Sequence, residues 1–141
     1  MPEVQELPTK QVVHTPDGLP GFDGAREWVL DHGDDTVFGV LRNVEEPAIG
    51  LLVTEPWDLA PGYEPDLPDD ELVRIGIHEA ADVQLLVVAT VGSTSGSDQR
   101  TVWLNLAAPI TVNVRTREAR QVILDRQGWP LRHPVAASGR S

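Results

Sequence analysis

Three stretches in the second half of the chain alternate apolar and polar residues with a period of two, and this constrains the fold more than any other feature of the sequence. Val83, Leu85, Val87, Ala89 and Val91 fall on one side of an extended chain, and Gln84, Leu86, Val88 and Thr90 fall on the other. Both sides are largely apolar, so this segment is predicted to be a central strand covered on both faces. Val102, Leu104 and Leu106 alternate with Thr101, Trp103 and Asn105, and Ile110, Val112 and Val114 with Thr111, Asn113 and Arg115. These two segments have one apolar face each, and those faces are expected to be buried together. Arg115 to Ala119 is a plausible hairpin connection into Gln121 to Leu124, although it lacks the Asn-Gly pair that most strongly marks a tight turn.

The first half is punctuated rather than periodic. A short extended run from Lys10 to His14 leads into Thr15-Pro16-Asp17-Gly18, where Pro restricts φ and Gly admits positive φ. Apolar runs at Trp28 to Leu30, Val37 to Leu41 and Ile49 to Val53 are short and bounded by Gly, Asp, Asn or Pro, which suits strands. Pro56, Pro61, Pro65 and Pro68 interrupt any ladder or helix between residues 54 and 68, so that stretch is predicted to be an ordered loop. One helix is expected, from about Pro68 to Ile75, with Asp69, Asp70 and Glu71 complementing the dipole at its start and Gly76 at its end. The predicted fold is mainly β: a single domain over residues 1–135, its antiparallel sheet strongly twisted and closing into a small barrel or sandwich, with one or two short helices. Gly92 to Ser97 is expected to be a loop and residues 136–141 a small polar tail.

Composition removes several kinds of chemistry. There is no cysteine, which excludes disulfides, thiolate metal sites and a cysteine nucleophile. His78-Glu79-Ala80-Ala81-Asp82 lacks the second His of a zinc-protease helix, and His14, His32 and His133 stand far apart in the sequence. Gly92-Ser93-Thr94-Ser95-Gly96 has Thr at the position of a nucleophilic Ser and leads into a strand. The glycines at positions 18, 21 and 24 do not have dinucleotide-fingerprint spacing. No cofactor or metal is therefore assigned. An enzyme would have to assemble its site from scattered acids and His133 or His78, and a binding protein is the preferred reading.

The charge is segregated along the chain. Residues 1–90 hold 4 basic and 19 acidic side chains, whereas residues 91–141 hold 7 and 3. The acidic part should repel nucleic-acid phosphates and attract basic partners, so direct nucleic-acid binding is not expected. No segment is apolar for the length of a membrane span, and the first ten residues lack a secretory pattern. A cytoplasmic location without membrane attachment is expected.

Several short motifs, taken in order, resemble the FliW family of flagellar assembly factors. They are Gly18-Leu19-Pro20-Gly21-Phe22, Tyr63-Glu64-Pro65-Asp66-Leu67, Asn105-Leu106-Ala107-Ala108-Pro109-Ile110 with Asn113, Gln121-Val122-Ile123-Leu124 and Pro130-Leu131-Arg132. Together they cover about residues 10 to 135. The resemblance implies a non-enzymatic β-barrel-like regulator that binds flagellin and, in many bacteria, the RNA-binding translational repressor CsrA, keeping it from silencing flagellin mRNA. Flagellin chaperoning without a CsrA partner is the alternative. Asp69, Asp70 and Glu71 are candidate contacts for a basic regulator, with helix capping as their other role, and Tyr63 in the loop beside them is a further candidate partner contact. Trp103, on the polar side of its strand, is the candidate anchor for flagellin unless it packs under a loop or a second sheet.

Overall fold

The computed structural model describes residues 10–19, 22, 24–31, 38–57, 59–93 and 100–136. The described residues form nine strands: β1 Lys10–His14, β2 Glu27–Asp31, β3 Phe38–Asn43, β4 Gly50–Thr54, β5 Val83–Ser93, β6 Arg100–Leu104, β7 Ile110–Asn113, β8 Ala119–Gln121 and β9 His133–Ala136. The helix α1 is Asp69–Arg74, and Ala80–Asp82 forms a single 3-10 turn before β5. Every strand pairing is antiparallel, in the order β1-β2-β3-β4-β5-β6-β9, with β7 on β5 and β8 on β7.

β5 is the hub, as its two apolar faces predict. Val83 to Leu86 pair with β7, Val87 and Val88 with β4, and Ala89 to Ser93 with β6. The sheet curls into a half-barrel until β8 approaches β1. There a parallel bridge joins His14 to Glu118, and the His14 N–H donates to the Arg117 carbonyl at 2.8 Å.

The two sides of β5 feed two different apolar clusters. Leu86 joins Val13, Trp28, Leu30, Leu41, Val53, Ile110 and Val112 in one. Leu85, Val87 and Ala89 join Val102, Leu104 and Leu106 in the other, which Ala60 and Tyr63 complete. This corrects the expectation that the faces of β6 and β7 are buried together. Residues opposite each other in a ladder point to the same face. Leu86 pairs with Ile110, whereas Ala89 pairs with Leu104, an odd number of residues further along β5. β7 and β6 therefore serve opposite faces.

The predicted helix is present with slightly narrower bounds. Pro68 occupies its N-cap, and Gly76, at φ +75°, follows the C-cap residue Ile75. The Gly76 N–H donates to the Val73 carbonyl and the Ile77 N–H to the Leu72 carbonyl, at 2.9 Å each. That pair of bonds is a Schellman termination, in which the residue after the cap needs the left-handed conformation that glycine adopts without strain.

The hairpin between β7 and β8 forms without Asn-Gly. Asn113 Oδ1 accepts the Arg115 N–H at 2.9 Å, and Arg117 takes φ +68° to close the turn. Gly92 and Ser93, expected in a loop, lie in β5, and residues 94–97 of that loop fall outside the described residues. Ala136, placed in the tail, is the last residue of β9, a strand the sequence reading missed; residues 137–141 are likewise outside the described set.

Candidate functional site: an acid-rimmed groove beside the helix

The proline-rich segment after β4 is held by its own turns and by one buried tyrosine. The Ala60 N–H donates to the Pro56 carbonyl at 2.7 Å and the Tyr63 N–H to the Ala60 carbonyl at 2.9 Å. The Tyr63 hydroxyl donates to the Leu106 carbonyl at 2.6 Å, and its ring meets Trp129 edge to face with centroids 4.8 Å apart. Further along, the Gln127 amide brackets Asp66. Its Oε1 accepts the Asp66 N–H at 2.9 Å, and its Nε2 donates to the Asp66 carbonyl at 2.6 Å.

Facing this loop, α1 is tied to the outer side of the half-barrel. Asn113 Nδ2 donates to the Ile75 carbonyl at 2.8 Å. Arg120 donates through Nε to the Glu71 carboxylate and through Nη1 to Asp17 at 2.6 Å. Hydrogen bonding to Glu71 raises the Arg120 pKa above its already high usual value. Arg120 thereby links the helix, β8 and the turn after β1.

Between loop and helix lies an open groove of about 790 Å³. Leu67, Leu72, Ile77, Val83 and Leu85 supply its apolar lining, with Trp57 and Val73 at the lips. Trp57 is 46% and Val73 56% exposed, large values for residues of this type. Glu64, Asp69 and Glu79 provide the charge, with His78 beside them, and among the described residues no Lys or Arg lines the groove. Among the described residues no group of three or more His, Asp or Glu is placed to hold a metal ion, and no helix is long and apolar enough to cross a membrane.

The five residues expected to contact partners separate. Tyr63 and Asp69 line the groove, and Asp70 is exposed on the first turn of α1. Tyr63 is only 3% exposed, however, so it shapes the loop rather than offering a surface to a partner. Glu71 is engaged by Arg120, so its carboxylate has a structural role besides any contact with a partner. Glu71→Lys is expected to set two cations against each other and cost about 1–2 kcal/mol, read as a lower unfolding midpoint in urea. Asp70→Lys, exposed on the same first turn, forfeits only its complement to the helix dipole and is expected to cost less, about 0.5–1 kcal/mol.

Trp103 belongs elsewhere. It pairs with Thr90, seven residues along β5 from Val83, or about 23 Å at the rise of a strand. Its ring lies over Gly92, where a Cβ would approach it to 2.9 Å, and the Arg132 guanidinium stacks 4.4 Å from its centroid. Trp57, Val73 and Ile77 were missed as lining residues. Val73 alone carried a readable signal, as an apolar side chain in a helix too short to bury more than one narrow side.

Tyr63 is the chain's one tyrosine, which makes its ionisation directly observable. Burial raises its pKa well above the usual value of 10.0. A native pKa above the unfolded one means that the stabilising contribution is complete below pH 10 and is lost as pH rises through the native value. Stability is expected to fall above about pH 10, with phenolate absorbance appearing in step with unfolding. Phenolate appearing near pH 10 with the circular dichroism unchanged would contradict the burial.

Fold and site together define the class: a small curled antiparallel half-barrel with, among the described residues, one short α-helix flanking an acid-rimmed groove. A family model described as FliW protein matches residues 3–135. The chain is 38% identical over 128 residues to the flagellar assembly factor FliW of Geobacillus thermodenitrificans (strain NG80-2), covering 91% of this chain and 86% of that one. It is 33% identical over 135 residues to the flagellar assembly factor FliW of Clostridium novyi (strain NT), covering 95% and 92%. A crystal structure of the flagellar assembly factor FliW superposes with a TM-score of 0.78 at 34% identity, covering 92% of this chain and 88% of that one. The chain belongs to the FliW family.

Proposed function

We propose that this protein is a flagellar assembly factor that acts by binding other proteins in the cytoplasm and not by catalysis. It binds flagellin and a CsrA-type RNA-binding translational repressor. While it holds the repressor, flagellin mRNA is free to be translated; flagellin, by binding in turn, releases the repressor and closes the loop between synthesis and assembly. The observation that carries this reading is the groove beside α1, whose ionisable lining of Glu64, Asp69 and Glu79 suits a basic partner, in a chain of the FliW family. Asp70, exposed on the same helix, extends that surface, and Glu71 acts through its hold on Arg120.

The test is a pair of titrations with purified components. Flagellin and the repressor should each bind, and flagellin should displace the repressor. Binding of flagellin alone would leave a chaperone without a repressor partner, and failure of both would end the proposal. Trp103, half-buried on the face of β6 opposite to that of Leu104, is assigned to flagellin. Trp103→Ala is expected to weaken flagellin binding by about 2 kcal/mol or more while the lost stacking on Arg132 costs about 1 kcal/mol of stability. A large loss of stability with flagellin affinity intact would make Trp103 a packing residue.

A further inference from the structure

We propose that the groove between α1 and the wall formed by Trp57 and residues 63–67 seats a cationic amphipathic segment of a partner protein, its apolar side chains on the floor and its Lys or Arg side chains on the rim. The inference rests on the preceding reading only in giving the basic partner a mode of docking. No residue of α1 is buried by the rest of the fold, so the apolar side chains of Leu72 and Val73 remain available at the surface. Across the opening, Trp57 offers a half-exposed aromatic face. An apolar channel of this size, about 790 Å³, falls within the range of sites that enclose a ligand.

The charge decides which occupant fits. Glu64, Asp69 and Glu79 line the groove, and among the described residues no Lys or Arg joins them and every lining residue comes from the part of the chain that carries its negative excess. An acidic or phosphorylated segment would meet like charge on the rim, whereas a segment with Lys or Arg beside its apolar residues would be complementary on both counts. Both walls are also tied down before any partner arrives. The Tyr63 hydroxyl and the Gln127 amide hold the loop, and Asn113 and Arg120 hold the helix. Docking on a preformed wall avoids the entropy cost of ordering it.

The experiment uses the full chain labelled with nitrogen-15 and a synthetic amphipathic Leu/Lys peptide, with Leu/Gln and Leu/Glu twins of the same apolar pattern. The expected result is that amide shifts on adding the Leu/Lys peptide concentrate in residues 57–85, and that binding weakens with added salt. The paired exposed substitutions Glu64→Gln and Glu79→Gln should weaken Leu/Lys binding about fivefold, and Val73→Ser, also at an exposed position, should weaken it without altering the salt dependence. Equal binding of the twins, shifts centred elsewhere, or the same shifts on merely concentrating the protein, which would make a second copy the occupant, would each overturn the proposal. A repressor arm keeps this separate from the function. Repressor that binds the parent and the Glu64→Gln, Glu79→Gln protein equally well would overturn the groove while leaving the function standing. No repressor binding, with the peptide result positive, would remove the repressor from the function and leave the groove.

Discussion

Val112→Asp is expected to unfold the domain or destabilise it badly at neutral pH. Val112 is 1% exposed in β7, opposite Gln84 of β5 and Ala119 of β8, and its side chain belongs to the cluster of Val13, Trp28, Leu30, Leu41, Leu86 and Ile110. The cluster holds no cation, so a carboxylate there would have no counter-charge within it. Removing one partner of a buried ion pair, which leaves the same uncompensated charge, costs about 3–5 kcal/mol, and a domain of this size is typically stable by only about 5–15 kcal/mol. The cost should depend on pH with a predictable sign. Burial favours the neutral acid and raises the native pKa above the unfolded value near 4, so the defect is smallest below about pH 4 and grows as pH rises. Circular dichroism and urea titration at both ends of that range measure it. A variant that folds at pH 7 with its urea midpoint unchanged would mean that β7 does not face a dry interior.

Trp28→Ala is expected to cost about 3–5 kcal/mol, lowering the thermal midpoint by roughly 10–20 °C. Trp28 is fully buried in β2, and no fully buried side chain in the described residues is larger. Its indole Nε1 donates to Thr15 Oγ1 at 3.1 Å, and that hydroxyl donates onward to the Ala25 carbonyl at 3.0 Å. Phe22 meets the ring edge to face with centroids 6.0 Å apart. The substitution would therefore open a cavity and loosen the connection from β1 to β2 together. Trp28→Phe separates the two contributions by retaining an aromatic ring without the N–H, at an expected cost of about 1–2 kcal/mol. If Trp28→Ala and Trp28→Phe were equally mild, the indole would not be the keystone of that end of the half-barrel.

Much of the fold was legible because its causes are local. Alternation marked β5 as two-faced, Gly76 marked the end of α1, and Asn105 and Asn113 are residues of a type that ties backbone groups at turns. Asn105 Oδ1 does accept the Ala107 N–H at 3.1 Å, and Asn113 serves both the β7–β8 turn and Ile75. β9 was not legible, because His133-Pro134-Val135-Ala136 has neither alternation nor strong strand propensity and is extended through pairing with β6. The candidate site was legible only in part. Asp69 was found at the groove, but Tyr63 proved to be a support under it and Glu71 a tie to Arg120, forty-nine residues away in the chain.

By itself the sequence determined which segments are extended, where the chain turns and helix α1 stops, and that its acidic excess lies in the first ninety residues. Those properties depend on φ restriction, side-chain periodicity and composition, all of which act within a few residues. Only the tertiary structure decided that β6 and β7 serve opposite faces of β5, that β8 returns to β1, and that Trp57, Val73 and Glu79 line one groove. These follow from strand register and sheet curvature. A shift of one residue in a ladder exchanges its two faces, and a pattern confined to one strand carries no record of which residue its partner sets opposite.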